Sequence, residues 1–190
     1  MSDLSDLAIN GGDPVRTEPL PPWPYFYQEE KDAVAAVLDS NDVNYHRGMC
    51  GIRFEEAWAE YTGVAHAIAV CNGGAALHCA CYAAGLGPGD EVIVPCHTYQ
   101  ASDLAPLWVN AIPVFADLDP DSLNMAPDDI RARITDRSRA IVAVHMYGRP
   151  ADMDEIMSIA ADHDLIVIED CAQAHGAEYK GRKVGSVGHI

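Results

Sequence analysis

The chain is poor in aromatic and basic residues. Of its 190 residues, 7% are aromatic and 12 are lysine or arginine, against 29 aspartates and glutamates, which gives a formal net charge of -17. This excess of negative charge repels the phosphates of nucleic acids and anionic membrane surfaces, so binding to nucleic acid or to a membrane is disfavoured. An anionic small ligand would need local hydrogen-bond donors at its own site.

The sequence also lacks long apolar runs and paired cysteine spacing, and we expect no secretory leader. No run approaches the length that spans a bilayer, and the first six residues are acidic and hydroxyl-rich where a leader would be basic and apolar. The six cysteines are scattered among apolar neighbours without zinc-type spacing, which favours buried free thiols over a metal site or disulfides. We therefore expect a cytoplasmic protein with no metal.

What the sequence does contain is an alternation of short apolar runs and amphipathic stretches, with 49% hydrophobic residues overall. The predicted strands are residues 65–71, 91–95, 113–117, 140–145 and 165–169, and the predicted helices among them are 75–84, 102–109, 128–134 and 152–163. This recurrence predicts an α/β fold with a mostly parallel sheet and helices on both faces.

The first 27 residues are rich in glycine and proline and end in the aromatic residues Trp23, Tyr25, Phe26 and Tyr27. Such a segment cannot form a helix or a central strand, so we predict an extended arm that packs by its aromatic rings. A helix is predicted over 28–38, a loop over 40–51, and a second helix that Gly63 ends. The predicted division is an arm at 1–27 and a large domain at 28–190.

The stretch from His163 to Gly176 offers the clearest site. An apolar run that reads as a buried strand ends in Glu169 and Asp170, and Gln173 follows within a turn. In open α/β sheets ligands bind at the carboxyl ends of strands, so this charge faces a cleft and suits a planar cationic ring nitrogen. The alternative is that Asp170 caps a short helix at 171–174.

Two further strand ends carry candidate ligand groups. Gly73 and Gly74 lead into a helix, where exposed N–H groups at a positive helix end suit a phosphate, although a purely structural turn is the alternative. The turn lacks the third glycine of the dinucleotide fingerprint and the lysine of the P-loop, so neither NAD nor ATP is favoured. Tyr99 either lies flat against a planar cofactor or packs on the next helix. His145 is interpreted as a buried, hydrogen-bonded structural residue.

The order of these motifs resembles the DegT/DnrJ/EryC1/StrS family of fold-type I, pyridoxal 5'-phosphate (PLP)-dependent sugar or cyclitol aminotransferases. The stretches that carry the resemblance are 72–77, 85–95, 117–124, 145–153 and 169–185. The resemblance implies the N-terminal part of the PLP-binding large domain, incomplete at its C-terminus and without the small C-terminal domain of the family.

The resemblance also implies roles for individual residues. Asp170 is the implied catalytic residue, which pairs with the pyridinium nitrogen of PLP, while Gln173 hydrogen-bonds near the phenolic oxygen and Tyr99 stacks on the ring. The implied cofactor-binding positions are Gly73, Gly74, Ala75, Tyr99, Asp170 and Gln173. The position of Gly74 usually carries a hydroxyl residue in the family, so one phosphate donor is absent.

The lysine that holds the cofactor in the family follows the segment that matches 187–190. The lysines of this chain are Lys31, Lys180 and Lys183, and none is at that position. Because the chemistry requires a nucleophilic amine, we expect a complementary C-terminal chain or a homologous subunit to supply it. The resemblance further implies a dimer with the active site at the interface, where the implied contacts to a keto substrate are Tyr45, His46 and Arg47.

The activity implied by the resemblance is transfer of an amino group from glutamate or glutamine to a keto-sugar or keto-cyclitol, in antibiotic or amino-sugar biosynthesis. Two alternatives stay open at the level of sequence. One is a sugar 3-dehydratase that uses pyridoxamine phosphate, with histidine in place of the lysine. The other is a non-catalytic subunit that partners an active homologue.

Overall fold

The computed structural model describes residues 7–45 and 47–190, and the chain divides after Gly48 into an N-terminal and a C-terminal unit. In the N-terminal unit, a 3₁₀ turn at Ala8–Asn10 precedes residues without helix or strand, and helix α1 (Gln28–Ser40) confirms the helix predicted there. The aromatic rings before α1 are exposed, with Tyr25 and Tyr27 in edge-to-face contact. None of the described helices is both long and apolar enough to cross a bilayer.

The C-terminal unit is a parallel sheet with helices on both faces. Its helices are α2 (Cys50–Thr62), α3 (Gly73–Ala83), α4 (Ala101–Trp108), α5 (Pro127–Arg133) and α6 (Met153–His163). Its strands are β1 (Glu91–Pro95), β2 (Ile112–Ala116), β3 (Ser138–Val144) and β4 (Ile166–Asp170), followed by a hairpin of β5 (Glu178–Tyr179) and β6 (Arg182–Lys183). The sheet order β2-β1-β3-β4, with every neighbouring pair parallel, confirms the predicted fold class.

The central strands are apolar runs because both of their faces are covered. On one face, Val92 and Val94 of β1 pack in a core with residues of α3 and α4, whereas Ile93 faces a second core formed with α5 and α6. Full burial of each such side chain contributes about 1.5–3 kcal/mol. This two-sided burial explains why continuous hydrophobic runs, rather than alternating ones, mark the strands.

The strand register brings the carboxyl ends of β1, β3 and β4 to one edge of the sheet. Val144 pairs with Asp170 across β3 and β4, and the N–H of His145 donates to the carbonyl of Asp170 at 3.2 Å. Residues that follow β1, among them Tyr99, emerge at the same edge. Because ligands of open α/β sheets bind at the carboxyl ends of the strands, we expect the ligand site at this edge.

The predicted strand at 65–71 is wrong. These residues form no strand in the structure, Ile68 is 82% exposed, and the N–H of Ala69 donates instead to the carboxylate of Glu55 at 2.7 Å. An apolar extended segment becomes a strand only when a neighbour supplies backbone partners, and within residues 7–45 and 47–190 none lies alongside it. At the β4 edge of the sheet, by contrast, His189 and Ile190 do find such partners in the backbone of Val167 and Glu169.

Candidate active site

A cavity of about 660 Å³ opens at the carboxyl edge of the sheet. Its lining includes five of the residues predicted from sequence, which are Gly73, Gly74, Tyr99, Asp170 and Gln173. The rest of the lining is largely apolar, and its apolar residues include Leu77 of α3, Leu104 of α4 and Val144 of β3. The volume lies in the range of small-molecule sites, which combine an apolar lining with a few convergent polar groups.

Asp170 is held in one orientation by two donors. The hydroxyl of Ser102 donates to its Oδ2 at 2.7 Å, and the N–H of Ala172 donates to its Oδ1 at 3.1 Å. Since an ionised carboxylate only accepts, the Ser102 oxygen is left to accept from the Thr98 hydroxyl 3.0 Å away. Residues 171–174 form a turn, so the alternative in which Asp170 caps a helix there is wrong.

The amide of Gln173 is oriented by the backbone of Tyr147. The Tyr147 N–H lies 3.0 Å from Gln173 Oε1 and donates to it. A backbone N–H needs an oxygen acceptor, so this contact fixes which end of the amide is which. The Nε2 group of Gln173 is thereby left as a donor at the cavity, which suits an anionic ligand oxygen.

The glycine turn at the start of α3 places two of the three predicted amides at the cavity. Asn72 caps α3 by accepting the Ala75 N–H at its Oδ1, 2.8 Å away, and Ala75 does not line the cavity. Gly73 and Gly74 do line it, and N–H groups in the first turn of a helix have no acceptor within the helix. With the positive end of the helix behind them, these two amides suit a phosphate.

A glycine at position 74 is explained by the ring of Trp108. A Cβ added to Gly74 would lie 3.3 Å from Cη2 of Trp108 and 3.3 Å from Oδ1 of Asn72, both tighter than ordinary contact. The indole thus occupies the space that a hydroxyl side chain would need. At Gly73, by contrast, an added Cβ meets nothing within 4 Å.

Replacing Gly74 by serine is expected to lower the free energy of unfolding by about 1–3 kcal/mol, because the new side chain overpacks against Trp108. Adding Trp108→Leu to Gly74→Ser should recover at least about 0.5 kcal/mol beyond additivity in a double-mutant cycle, measured by urea unfolding. Gly73→Ser is the matched control and should change stability by less than about 0.5 kcal/mol. Strict additivity of the two changes would contradict the proposed contact.

The remaining predicted residues have different outcomes. Tyr99 is 67% exposed and lines the cavity, so its ring is not packed away on the following helix. Tyr45 and Arg47 belong to the N-terminal unit, where Arg47 Nε lies 3.4 Å from Oδ1 of Asp42, and His46 lies outside the described residues. A role for these three in substrate binding stays a prediction.

The interpretation of His145 as a structural residue is confirmed. It is fully buried, its Nδ1 accepts the Ala151 N–H at 3.0 Å, and its Nε2 lies 3.0 Å from Oε2 of Glu169. Because Nδ1 is an acceptor, the ring is neutral and carries its proton on Nε2. The Cys171 thiol lies close to His145 and Glu169, a set of side chains of the kind that can bind a metal ion. Both imidazole nitrogens already have protein partners, and burial raises the pKa of the Cys171 thiol to about 12, so this set does not favour a metal ion.

Comparison with known proteins places this arrangement in a family. The model of the DegT/DnrJ/EryC1/StrS aminotransferase family matches residues 24–190. The chain belongs to that family. The resemblance inferred from the spaced motifs is thereby confirmed.

Individual relatives support the same assignment. The chain is 47% identical over 186 residues to L-glutamine:2-deoxy-scyllo-inosose aminotransferase of Streptomyces lividus, covering 95% of this chain and 44% of that protein. An aminotransferase from Psychrobacter cryohalolentis is similar in structure, with a TM-score of 0.88 and 51% identity over 90% of this chain and 43% of that one. A Streptococcus pneumoniae protein solved in a PLP form and a PMP form gives a TM-score of 0.82 and 28% identity, covering 87% of this chain and 45% of that one. The chain thus spans less than half the length of each of these relatives.

Three residues that shape the site could not be found from the sequence. Ser102 is 68 positions from Asp170, and Tyr147 is 26 positions from Gln173, so neither contact leaves a local pattern. Trp108 likewise reaches Gly74 only through the packing of α4 on α3. No sequence signal marks these pairs, since their partners are brought together by the fold alone.

Proposed function

We propose that this protein is a PLP-dependent aminotransferase that transfers an amino group from glutamine or glutamate to a keto-cyclitol or keto-sugar. The observation that carries the proposal is the fixed carboxylate of Asp170, which faces the same cavity as the Gln173 amide and the glycine turn. The Streptomyces lividus relative is named for a cyclitol acceptor and for glutamine, which supports this substrate class and a place in antibiotic or amino-sugar biosynthesis.

The donor set of the cavity fits PLP. A bound PLP supplies an electron sink for the negative charge that develops next to the reacting nitrogen. Asp170 would hold a proton on the ring nitrogen, Gln173 Nε2 would donate to the phenolic oxygen, and Tyr99 would cover the ring. The amides of Gly73 and Gly74 would hold the phosphate, and no cationic side chain lines the described cavity to assist them.

The proposal requires an amine from outside the residues described. No lysine lines the cavity, and in the β5–β6 hairpin Lys180 is paired with Asp154 and Lys183 with Glu178. We propose that the cofactor lysine lies on the remaining half of the protein, or on a homologous subunit, in a cytoplasmic dimer whose active site lies at the interface. The coverage of under half of each relative leaves room for such a segment.

Binding of cofactor analogues by this chain tests the proposal without the lysine. We expect pyridoxamine phosphate to bind in a fluorescence titration, and pyridoxamine without the phosphate to bind at least about tenfold more weakly, since it loses the amides of Gly73 and Gly74. Phosphorus NMR of the bound ligand checks that the phosphate is contacted. Equal affinity for the two compounds, or no binding of either, would overturn the proposed function.

A further inference from the structure

The loop between β3 and α6 is fixed by buried side chains. Asn124, which is 2% exposed, accepts the Met146 N–H at 3.0 Å and donates to the carbonyls of Arg149 and Pro150 at 3.1 and 3.0 Å. The fully buried His145 accepts the N–H of Ala151, which closes the loop. Buried polar groups satisfied in this way make a rigid loop.

Tyr147 lies in this rigid loop, and its backbone adopts an energetically unfavourable conformation. Its φ of 54° and ψ of 27° lie in the left-handed region, which costs a non-glycine residue free energy and persists only where the surroundings enforce it. Tyr147 is nevertheless 67% exposed, so the strain does not serve core packing. Its N–H orients Gln173 at the cavity, which ties the residue to the active site.

The phenol of Tyr147 is paired with an imidazole from the neighbouring strand end. Nε2 of the exposed His97 lies 3.1 Å from the Tyr147 hydroxyl, and their ring centroids are 6.0 Å apart. His97 is two positions before Tyr99, which lines the cavity. A hydroxyl beside an imidazole offers both a donor and an acceptor, the combination that another hydroxyl group requires.

We propose that Tyr147 and His97 form a subsite that binds ring hydroxyl groups of the amino-group acceptor, which is a neutral polyhydroxylated ring. This inference rests on the proposed function. The phenol and imidazole hydrogen-bond the hydroxyls, and the face of the Tyr147 ring covers the apolar C–H surface of the same molecule. The fixed loop holds Tyr147 in place before the acceptor arrives, so little ordering cost accompanies binding at this residue.

Reduced conjugates of the cofactor test the subsite on this chain alone, since they need no lysine. One conjugate is the stable secondary amine of PLP with a polyhydroxylated aminocyclitol, the second is the same amine of PLP with cyclohexylamine, and pyridoxamine phosphate is the reference. By isothermal titration calorimetry, the polyol conjugate should bind about tenfold more tightly than the cyclohexyl one. Tyr147→Phe should reduce that preference to within about twofold.

The variants and ligands separate the two hypotheses. Tyr147→Phe keeps the ring and the backbone N–H and removes only the hydroxyl group of the subsite. Tyr82→Phe, at an exposed tyrosine of α3, is the matched control that should keep the full preference. Binding of pyridoxamine phosphate with equal affinity for the two conjugates, or a preference that survives in Tyr147→Phe, would overturn the subsite alone. Absence of pyridoxamine phosphate binding would overturn the proposed function and the subsite with it.

Discussion

Replacing Glu169 by glutamine is expected to lower the free energy of unfolding by about 3–5 kcal/mol, because the amide leaves buried N–H donors without an acceptor and each such donor costs about 1–3 kcal/mol. The Glu169 side chain is 1% exposed and accepts four N–H groups. His145 Nε2 and the Gly185 N–H reach Oε2 at 3.0 and 2.9 Å, and the N–H groups of Val187 and Gly188 reach Oε1. The carboxylate thus joins β3, β4 and the loop that leads to the end of the described chain.

No rearrangement of the glutamine relieves the loss. Whichever oxygen of Glu169 becomes an NH₂ group, it faces two N–H donors. A change of tautomer at His145 would free its Nε2 but would turn Nδ1–H against the N–H of Ala151. Each arrangement therefore leaves buried donors unsatisfied, and an unsatisfied buried donor costs more than the hydrogen bond it replaces.

Urea unfolding of the chain measures this effect, and thermal unfolding should show a fall in Tm of about 6–20 °C for a chain of this size. Glu60→Gln, at an exposed position of α2, is the matched control and should change stability by less than about 0.5 kcal/mol. A loss below about 1 kcal/mol in Glu169→Gln would show that the carboxylate does not organise the loop.

The difference in stability between wild type and Glu169→Gln should depend on pH, and its direction follows from the pKa of Glu169. Burial raises the pKa of Glu169, but the hydrogen bonds from His145 and from the N–H groups of Gly188, Gly185 and Val187 outweigh it, so the net pKa lies below its ordinary value of 4.5. The stabilisation is therefore complete above the unfolded pKa and is lost as pH falls through the folded one. The gap in stability between wild type and Glu169→Gln should accordingly be widest near neutral pH and narrow in acid.

The sheet could be predicted from sequence because its central strands are buried on both faces, which leaves uninterrupted apolar runs in β1, β3 and β4. The segment 65–71 shows the limit of that argument. Its composition is equally apolar, but a strand is defined by its partner, and a partner is not encoded in the segment itself. The same pattern therefore gave a correct prediction for 165–169 and an incorrect one for 65–71.

The site could be predicted in part for a related reason. The strand-end rule brought Asp170, Tyr99 and the glycine turn to one edge, and the structure places them around one cavity. The pairing of Ser102 with Asp170 and that of Tyr147 with Gln173 were beyond prediction, because contacts between residues far apart in sequence depend on atomic distances that the fold sets. These contacts decide which predicted donors are free, so they matter to the chemistry more than the position of the site does.

The two neighbouring carboxylates at the end of β4 illustrate this difference. Successive side chains of a strand point to opposite faces of the sheet, so Glu169 faces the loop at 185–188 whereas Asp170 faces α4 and the cavity. The partners of Glu169 are all N–H groups, which cannot reverse. One partner of Asp170 is the hydroxyl of Ser102, which can. The same acid-to-amide change should therefore have different consequences at the two positions.

Asp170→Asn is expected to keep the fold and to weaken the cofactor site. The new NH₂ group replaces Oδ2 and donates to Ser102, whose hydroxyl turns toward Thr98, while Oδ1 still accepts the Ala172 N–H. The free energy of unfolding should change by less than about 1 kcal/mol. The charge that would hold a proton on the ring nitrogen is lost, and a hydrogen bond to a charged group contributes about 1.5–3 kcal/mol, so the Kd for pyridoxamine phosphate should rise about 10–150-fold.

Nitrogen NMR of pyridoxamine phosphate labelled at the ring nitrogen provides the decisive measurement for Asp170→Asn. Bound to wild type, the nitrogen should give the signal of a protonated pyridinium, and bound to the variant that of a neutral pyridine, because an amide cannot balance the charge of the ring. Asp162→Asn, at an exposed position of α6, should leave both signal and affinity as in wild type. If Asp170→Asn retains affinity within about threefold and still binds the protonated ring, then the carboxylate does not pair with the ring nitrogen, and the cavity holds some other ligand.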